Sequence, residues 1–148
     1  KILEEVITSN IKADAIKKKI YIHTTFDETP KIAEVDKSYA SQVFKNLLSN
    51  ATKFSPPGKS IYVKIEENDG KLLTEIKDEG PGISKSDKDR LFTRFSTLSA
   101  KPTAGESSTG LGLSIVKQYT DMLNGKVWCE SEEGNGASFF VEFQAKQN

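Results

Sequence analysis

DKSYASQVFKNLLSNATKF, residues 36–54, is the stretch that decides the fold. It opens on an acid and a hydroxyl residue and stops at SPPG (55–58), which predicts one long helix. Each helical residue turns about 100°, so Val43, Phe44, Leu47, Leu48 and Ala51 share an apolar arc that predicts packing on a sheet. Asn46, Asn50 and Lys53 form a stripe beside that arc, within roughly 80° of Val43. Asparagine is a weak interior helix residue because its short amide competes for backbone hydrogen bonds. Polar groups at the margin of a core are where a pocket wall is built, although the same stripe also describes a solvated helix face. An amide oxygen is a hard ligand acceptable to Mg²⁺, and Lys53 can neutralise phosphate charge one turn further on.

Residues 2–16 place Ile2, Leu3, Val6, Ile7, Ala13 and Ile16 at approximately helical spacing, which predicts an amphipathic first helix. KIYIHTTF (19–26) alternates and is rich in β-branched and aromatic residues, so it reads as strand. A turn and a short extended piece follow over 28–36, before the long helix. IYVKIEEN (61–68) and KLLTEIKD (71–78) predict a hairpin across Asp69-Gly70. SKSDKDRLFTRF (84–95) reads as a short capped helix, and residues 96–110 lack any period and read as a mobile loop. LGLSIVKQYTDMLNG (111–125) predicts a helix ended by Gly125 as its C′ residue. KVWCES (126–131) and ASFFVEF (137–143) form two strands around GNG, with Phe139, Phe140, Val141 and Phe143 as sheet and core. The order predicts an α+β sandwich: a largely antiparallel sheet with helices layered on it.

The 148 residues fit one domain, 1–148, with a single core. Lys plus Arg and Asp plus Glu are 21 each, so no global field draws the chain to nucleic acid or an anionic membrane. No apolar run approaches the roughly 20 residues that span a bilayer. The single Cys129 cannot close an internal disulfide, which fits a reducing compartment, and its alternation with Trp128 reads as a small packed hydrophobe. The chain opens KILEEV and its only methionine is Met122, so the expectation is a piece of a longer protein. KADAIKKK (12–19) reads as a solvated helix end.

Two glycine motifs carry the chemistry. DEGPGI (78–83) follows a strand directly, and glycines at 80 and 82 let a planar ligand approach the backbone closely. An ionised Asp78 only accepts hydrogen bonds, so it suits an exocyclic amine such as N6 of adenine and repels the 6-oxo edge of guanine. Alone, the motif also describes a turn with an aspartate cap. STGLGLSIVK (108–117) places Gly110 and Gly112 where a loop becomes a helix, a start whose free N–H groups and dipole suit an anion. Thr109 can cap that helix or touch a phosphate. No G-x-x-x-x-G-K-[ST] occurs, and Ile115 stands where G-x-G-x-x-G needs its third glycine.

NLLSNATKF, DEGPGI, LFTRF and STGLGLSIVK, in this order, resemble the catalytic ATP-binding domain of sensor histidine kinases, in the superfamily of gyrase, a heat-shock chaperone and mismatch-repair ATPases. The resemblance covers nearly the whole chain. It implies a Bergerat-type fold: a two-layer sandwich, its sheet mixed but mostly antiparallel, with helices on one face. It also implies an N box at Asn46, Asn50, Lys53 and Phe54, a glycine box at Asp78, Gly80, Gly82 and Ile83, and an F box at Phe92 and Phe95. A second glycine box would span Thr109, Gly110, Leu111, Gly112 and Leu113. Asn50 would hold Mg²⁺ on ATP, Lys53 would serve catalysis beside the phosphates, and the lid at 96–109 would order around nucleotide. Asn46 takes the place of the glutamate that activates water in gyrase-like ATPases; an amide has no useful basicity, which saves the γ-phosphate for a histidine.

The resemblance implies that this histidine sits on a dimerisation domain upstream in the same protein, with a response regulator downstream and a cytoplasmic location, including the cytoplasmic part of a membrane-bound sensor. His23 lies in the alternating strand without an adjacent acid and reads as a plain strand residue. Thr97 stands where many members carry an arginine; Arg94, Lys53 and Lys101 are candidates to replace it, and the sequence does not choose between them. Phe54 replaces a common tyrosine and keeps a ring for the base. A related serine kinase that restrains a sigma factor, and a nucleotide-binding regulatory module without transfer, are the alternatives. A gyrase-type ATPase would need a glutamate at 46.

Overall fold

The computed structural model describes residues 11–26, 36–88, 91–92 and 112–144. Its elements are α1 (Lys12–Lys18), β1 (Tyr21–Phe26), α2 (Lys37–Phe54), β2 (Ser60–Asn68), β3 (Lys71–Asp78), α3 (Lys85–Lys88), α4 (Gly112–Met122), β4 (Lys126–Ser131) and β5 (Ala137–Gln144). Residues 2–10 of the helix expected over 2–16, residues 28–35 of the turn and extended piece, the loop at 96–110 and Phe95 lie outside the described residues.

The five strands form one sheet in the order β1-β2-β3-β5-β4. Only β1 and β2 run parallel; the other three pairs are antiparallel. A parallel pair needs a crossover, and α2 supplies it between β1 and β2. The fold is therefore the mixed, mostly antiparallel α+β arrangement that the sequence predicts.

Asp36 starts α2 by accepting from the Ser38 and Tyr39 N–H groups at 2.8 and 3.4 Å. The predicted arc is buried throughout: Val43, Leu47 and Leu48 are 0% exposed. It packs on Ile61, Val63, Ile76, Phe139, Val141 and Phe143, with Phe44 edge-on to Phe143 at 6.2 Å between ring centres. α4 lies beside α2, where Val116 joins the core and Tyr119 meets Tyr39 edge-on at 4.9 Å. Strand alternation turns Phe140 away from this core. It stacks on Trp128 at 5.3 Å on the other face of the sheet, so the expectation that it is core is corrected.

Three further expectations change, each for a backbone reason. Of the helix expected over 84–95, the described residues are helical at Lys85–Lys88, where Ser84 Oγ accepts from the Asp87 N–H at 3.3 Å, and form a turn at 91–92. Asn124, not Gly125, is the left-handed C′ residue of α4, with φ 58°. Its N–H donates to Asp121 O, and the Gly125 N–H donates to Thr120 O at 2.9 Å, which is a Schellman closure. Gly125 is glycine for another reason: a Cβ there would meet Glu142 O at 2.6 Å and Phe143 Cδ1 at 2.7 Å.

Lys18 is the third. α1 closes in the same manner, with Lys19 at φ 63°, and its last turn is not simply solvated. Lys18 is buried, and its ammonium donates to Thr52 O and Lys53 O, both at 2.8 Å. These are carbonyls of the last turn of α2, the negative end of its dipole, so a cation from α1 caps the crossover helix. Lys18→Met keeps the apolar stem and removes the ammonium. It should lower the unfolding free energy in urea titration by about 1.5–3 kcal/mol, while exposed Lys17→Met leaves the midpoint in place.

Candidate functional site

The last residue of β3 is where the layers converge. Asp78 is only 4% exposed, and its Oδ1 accepts from the Gly80 N–H at 2.9 Å and the Ala137 N–H at 3.2 Å. The first donor comes from the turn after β3. The second comes from the start of β5, because register places Asp78 opposite Ala137. Both donors fall on one oxygen; among the described residues none reaches Oδ2. Burial pushes the carboxyl above its ordinary 3.8, and the two backbone hydrogen bonds partly offset that rise.

The loop after Asp78 is clamped on both sides. A Cβ on Gly80 would stand 2.5 Å from Phe54 O, so only glycine lets the end of α2 lie against this turn. Gly82 has φ +78°, and a Cβ there would meet Glu132 O at 2.3 Å. Across from it the Gly134 N–H donates to Pro81 O at 2.6 Å, and the Ile83 N–H donates to Ser131 Oγ at 2.9 Å. The β4–β5 turn is thus a wall of the same site.

A shallow cleft, partly open to solvent, lies between these elements. Asn50 and Phe54 line it from α2, Asp78 from β3, Pro81, Gly82 and Ile83 from the loop, and Ala137 and Phe139 from β5. One carboxylate and one amide therefore face a mostly apolar slot, the arrangement that suits a flat heteroaromatic ligand with an amino group. Phe92 packs edge-on against Phe139 at 6.4 Å without lining the cleft itself.

Of the residues expected to form a site, the structure brings Asn50, Phe54, Asp78, Gly82 and Ile83 together at the cleft, with Gly80 buried beneath Asp78. Asn46 and Lys53 are half-buried on the same helix but do not line the slot. Gly112 begins α4 as expected, and Leu113 packs against the core. Thr109, Gly110, Leu111, Arg94, Thr97 and Lys101 lie outside the described residues. Sequence reading missed Ala137, Phe139 and Ser131 as parts of the site. The GNG turn was the one available signal, because the Ala137 contribution is a backbone N–H, which no side chain announces.

His23 is exposed on β1, within 3.0 Å of Ser60 Oγ and stacked on Tyr62 at 5.1 Å, and among the described residues no carboxylate bonds to it. Cys129 is half-buried, and burial, followed by the negative charge of Asp78, pushes its thiol up to about 12. It stays protonated and behaves as the packed hydrophobe that the sequence predicts.

The family model for histidine kinase-, DNA gyrase B- and HSP90-like ATPases matches residues 35–147, and the chain belongs to that family. Among curated relatives, the sensor histidine kinase WalK of Bacillus subtilis is 37% identical over 116 residues, covering 77% of this chain and 19% of that protein. The sensor protein kinase WalK of Staphylococcus aureus is 36% identical over 124 residues, 80% of this chain and 30% of that protein. The chain spans less than a third of the length of these relatives. Among solved structures, the mycobacterial sensor histidine kinase MprB superposes with a TM-score of 0.84 at 26% identity, covering 99% of this chain and 97% of that one. Full-length ShkA in complex with AMPPNP superposes with a TM-score of 0.83 at 26% identity, over 99% of this chain and 30% of that one. The histidine kinase ThkA in complex with the response regulator protein TrrA gives 0.78 at 26% identity, over 97% and 39%.

The raised Asp78 carboxyl makes a signed prediction. Between its ordinary 3.8 and its raised value the folded state holds more protons than the unfolded one, so this group's contribution to stability falls as pH rises through that window. Asp78→Asn keeps an amide oxygen for Gly80 and Ala137 without the charge. Its stability relative to wild type should rise as pH increases from 3.8 and level off above the raised value, measured by urea unfolding across pH.

Proposed function

We propose that this chain is the ATP-binding catalytic domain of a sensor histidine kinase. The observation that carries the reading is the buried Asp78 carboxylate lining the cleft, with one oxygen pinned by backbone and no donor from the described residues on the other. In this reading Oδ2 accepts from the 6-amino group of adenine, and Phe54, Ile83 and Phe139 flank the ring. A charge-assisted hydrogen bond of this kind contributes roughly 1.5–3 kcal/mol and rejects a base that offers a carbonyl there. The AMPPNP named with ShkA, a similar structure, supports a nucleotide of this class.

Asn50 lines the cleft on the helix face that the sequence predicts to hold a metal. Among the described residues no three His, Cys, Asp or Glu side chains gather as a cage, so a single amide oxygen sharing the ion with phosphates is the fitting donor set for Mg²⁺. When bound, Mg²⁺ neutralises charge on the phosphates. Lys53 and the N-terminus of α4, preceded by Thr109, Gly110 and Leu111, complete the positive surroundings of the triphosphate in this reading. Asn46 holds no basic atom with which to activate water, so hydrolysis is slow and the γ-phosphoryl group is kept for a protein acceptor.

The acceptor in this proposal is a histidine on a dimerisation domain upstream in the same protein. Bond breaking between the β–γ bridging oxygen and phosphorus is matched by bond making from phosphorus to the acceptor's ring nitrogen. In this reading His23 does not serve, since it is exposed on β1 and among the described residues its ring bonds only to Ser60 Oγ, with no carboxylate to orient it. The response regulator named with ThkA supports a response regulator as the partner that takes the phosphoryl group onward. No described helix is long and apolar enough to cross a membrane, and the proposed setting is the cytoplasm.

Calorimetry with the 148-residue chain tests the nucleotide reading. Asp78→Asn should weaken MgATP binding by at least roughly ten-fold with its thermal transition retained, and undiminished affinity would overturn the adenine assignment. Asn50→Ala should lose mainly the Mg²⁺-dependent part of the affinity; equal loss with and without Mg²⁺ contradicts the metal role. Mixing the wild-type chain with [γ-³²P]ATP and a separate histidine-bearing dimerisation domain should label that domain. Label appearing instead as phosphohistidine on His23 would refute the transfer reading.

A further inference from the structure

Ser131 ends β4, and register places it opposite Ala137, which in turn lies opposite Asp78. The three residues therefore form one row across β4, β5 and β3, at the strand ends that meet the cleft. The Ser131 hydroxyl is used in both senses. It donates to Gly136 O at 2.6 Å and accepts from the Ile83 N–H at 2.9 Å. Its own carbonyl accepts from Lys88 Nζ at 2.9 Å, which ties α3 to the same point. One side chain thus bolts the glycine loop after β3 to the turn between β4 and β5.

The location of that bolt gives it a consequence for the ligand. The two N–H groups that aim Asp78 come one from each bolted segment: Gly80 from the loop, and Ala137 from the residue after Gly136. If the segments move apart, the two donors no longer converge on one oxygen, and the carboxylate can rotate about its Cβ–Cγ bond. Ile83, 6% exposed, would also lose the acceptor of its buried N–H. Only one further described backbone bond, from the Gly134 N–H to Pro81 O, spans the same gap.

We propose that Ser131 is a positioning residue for base selection, holding the Asp78 carboxylate at the angle from which its free oxygen accepts the exocyclic amine of the nucleotide base. The proposal rests on the reading of Asp78 given above. It goes beyond that reading by placing selectivity partly in a hydroxyl that does not line the cleft.

The test compares ATP with purine riboside triphosphate, which lacks only the 6-amino group, by calorimetry in the presence of Mg²⁺. The wild-type chain should favour ATP. Ser131→Ala should lower the affinity for ATP by roughly five-fold while barely changing that for the analogue, so the ratio narrows. Ser131→Thr, which keeps the hydroxyl, should restore the ratio. A role confined to stability would instead lower the melting temperature of Ser131→Ala and leave the ratio at its wild-type value, and that result overturns the proposal. Should the alanine variant fail to fold, Ser131→Cys fills the volume with a weak hydrogen-bonding sulfur and must show the same narrowing. Equal wild-type affinity for the two nucleotides would sink the Asp78 reading itself, whereas a wild-type preference left untouched by every Ser131 variant sinks only the bolt.

Discussion

The structure turns on one buried carboxylate, Asp78, whose hydrogen bonds from the described residues all fall on one oxygen. Burying Asp78 raises the cost of its charge, and two backbone N–H groups from separate segments partly offset that cost. Those donors exist only because β3 pairs with β5 in a register that sets Asp78 against Ala137. The glycine loop, the β4–β5 turn and the end of α2 all close on this point, and each has a local reason for its sequence there. Gly80 admits the Phe54 carbonyl, Gly82 takes a left-handed turn beneath Glu132, and Ser131 ties the two loops together.

Around that point α2 does two jobs at once. As the crossover between parallel β1 and β2 it must lie on the sheet, and its apolar arc meets that need. The stripe next to the arc then falls at the rim of the core, where Asn50 reaches the cleft. The C-terminal turn, which carries Lys53 and Phe54, is capped from a distant part of the chain by Lys18. A helix end that borders the cleft is thereby held by the preceding helix, so the local structure around Phe54 depends on contacts spanning more than thirty positions in sequence.

Much of this was legible before any coordinates. Periodicity over 36–54, the Asp69-Gly70 hairpin and the alternation of the last strand follow from side-chain chemistry within a few residues, so the elements and the sandwich class could be read directly. Asn50, Phe54, Asp78, Gly82 and Ile83 were legible as a site because their motifs are local and their order matches a family pattern. Asn46 and Lys53 share the stripe yet stay off the slot, since the slot is set by which strands oppose the helix and not by the helix alone.

Side-chain pattern along the chain decided which segments are helix and which are strand, which faces are apolar, and which residues have the chemistry to take an amine or a metal-bound anion. Tertiary structure alone decided the pairing of β5 with β3 and β4, the donors that aim Asp78, the burial of Lys18 in what reads as a solvated lysine run, and the outward turn of Phe140. The division has a physical origin. Helix and strand periodicity arise from interactions within a turn or two of chain, whereas a backbone N–H carries no residue-specific mark and finds its partner only when distant strands come into register.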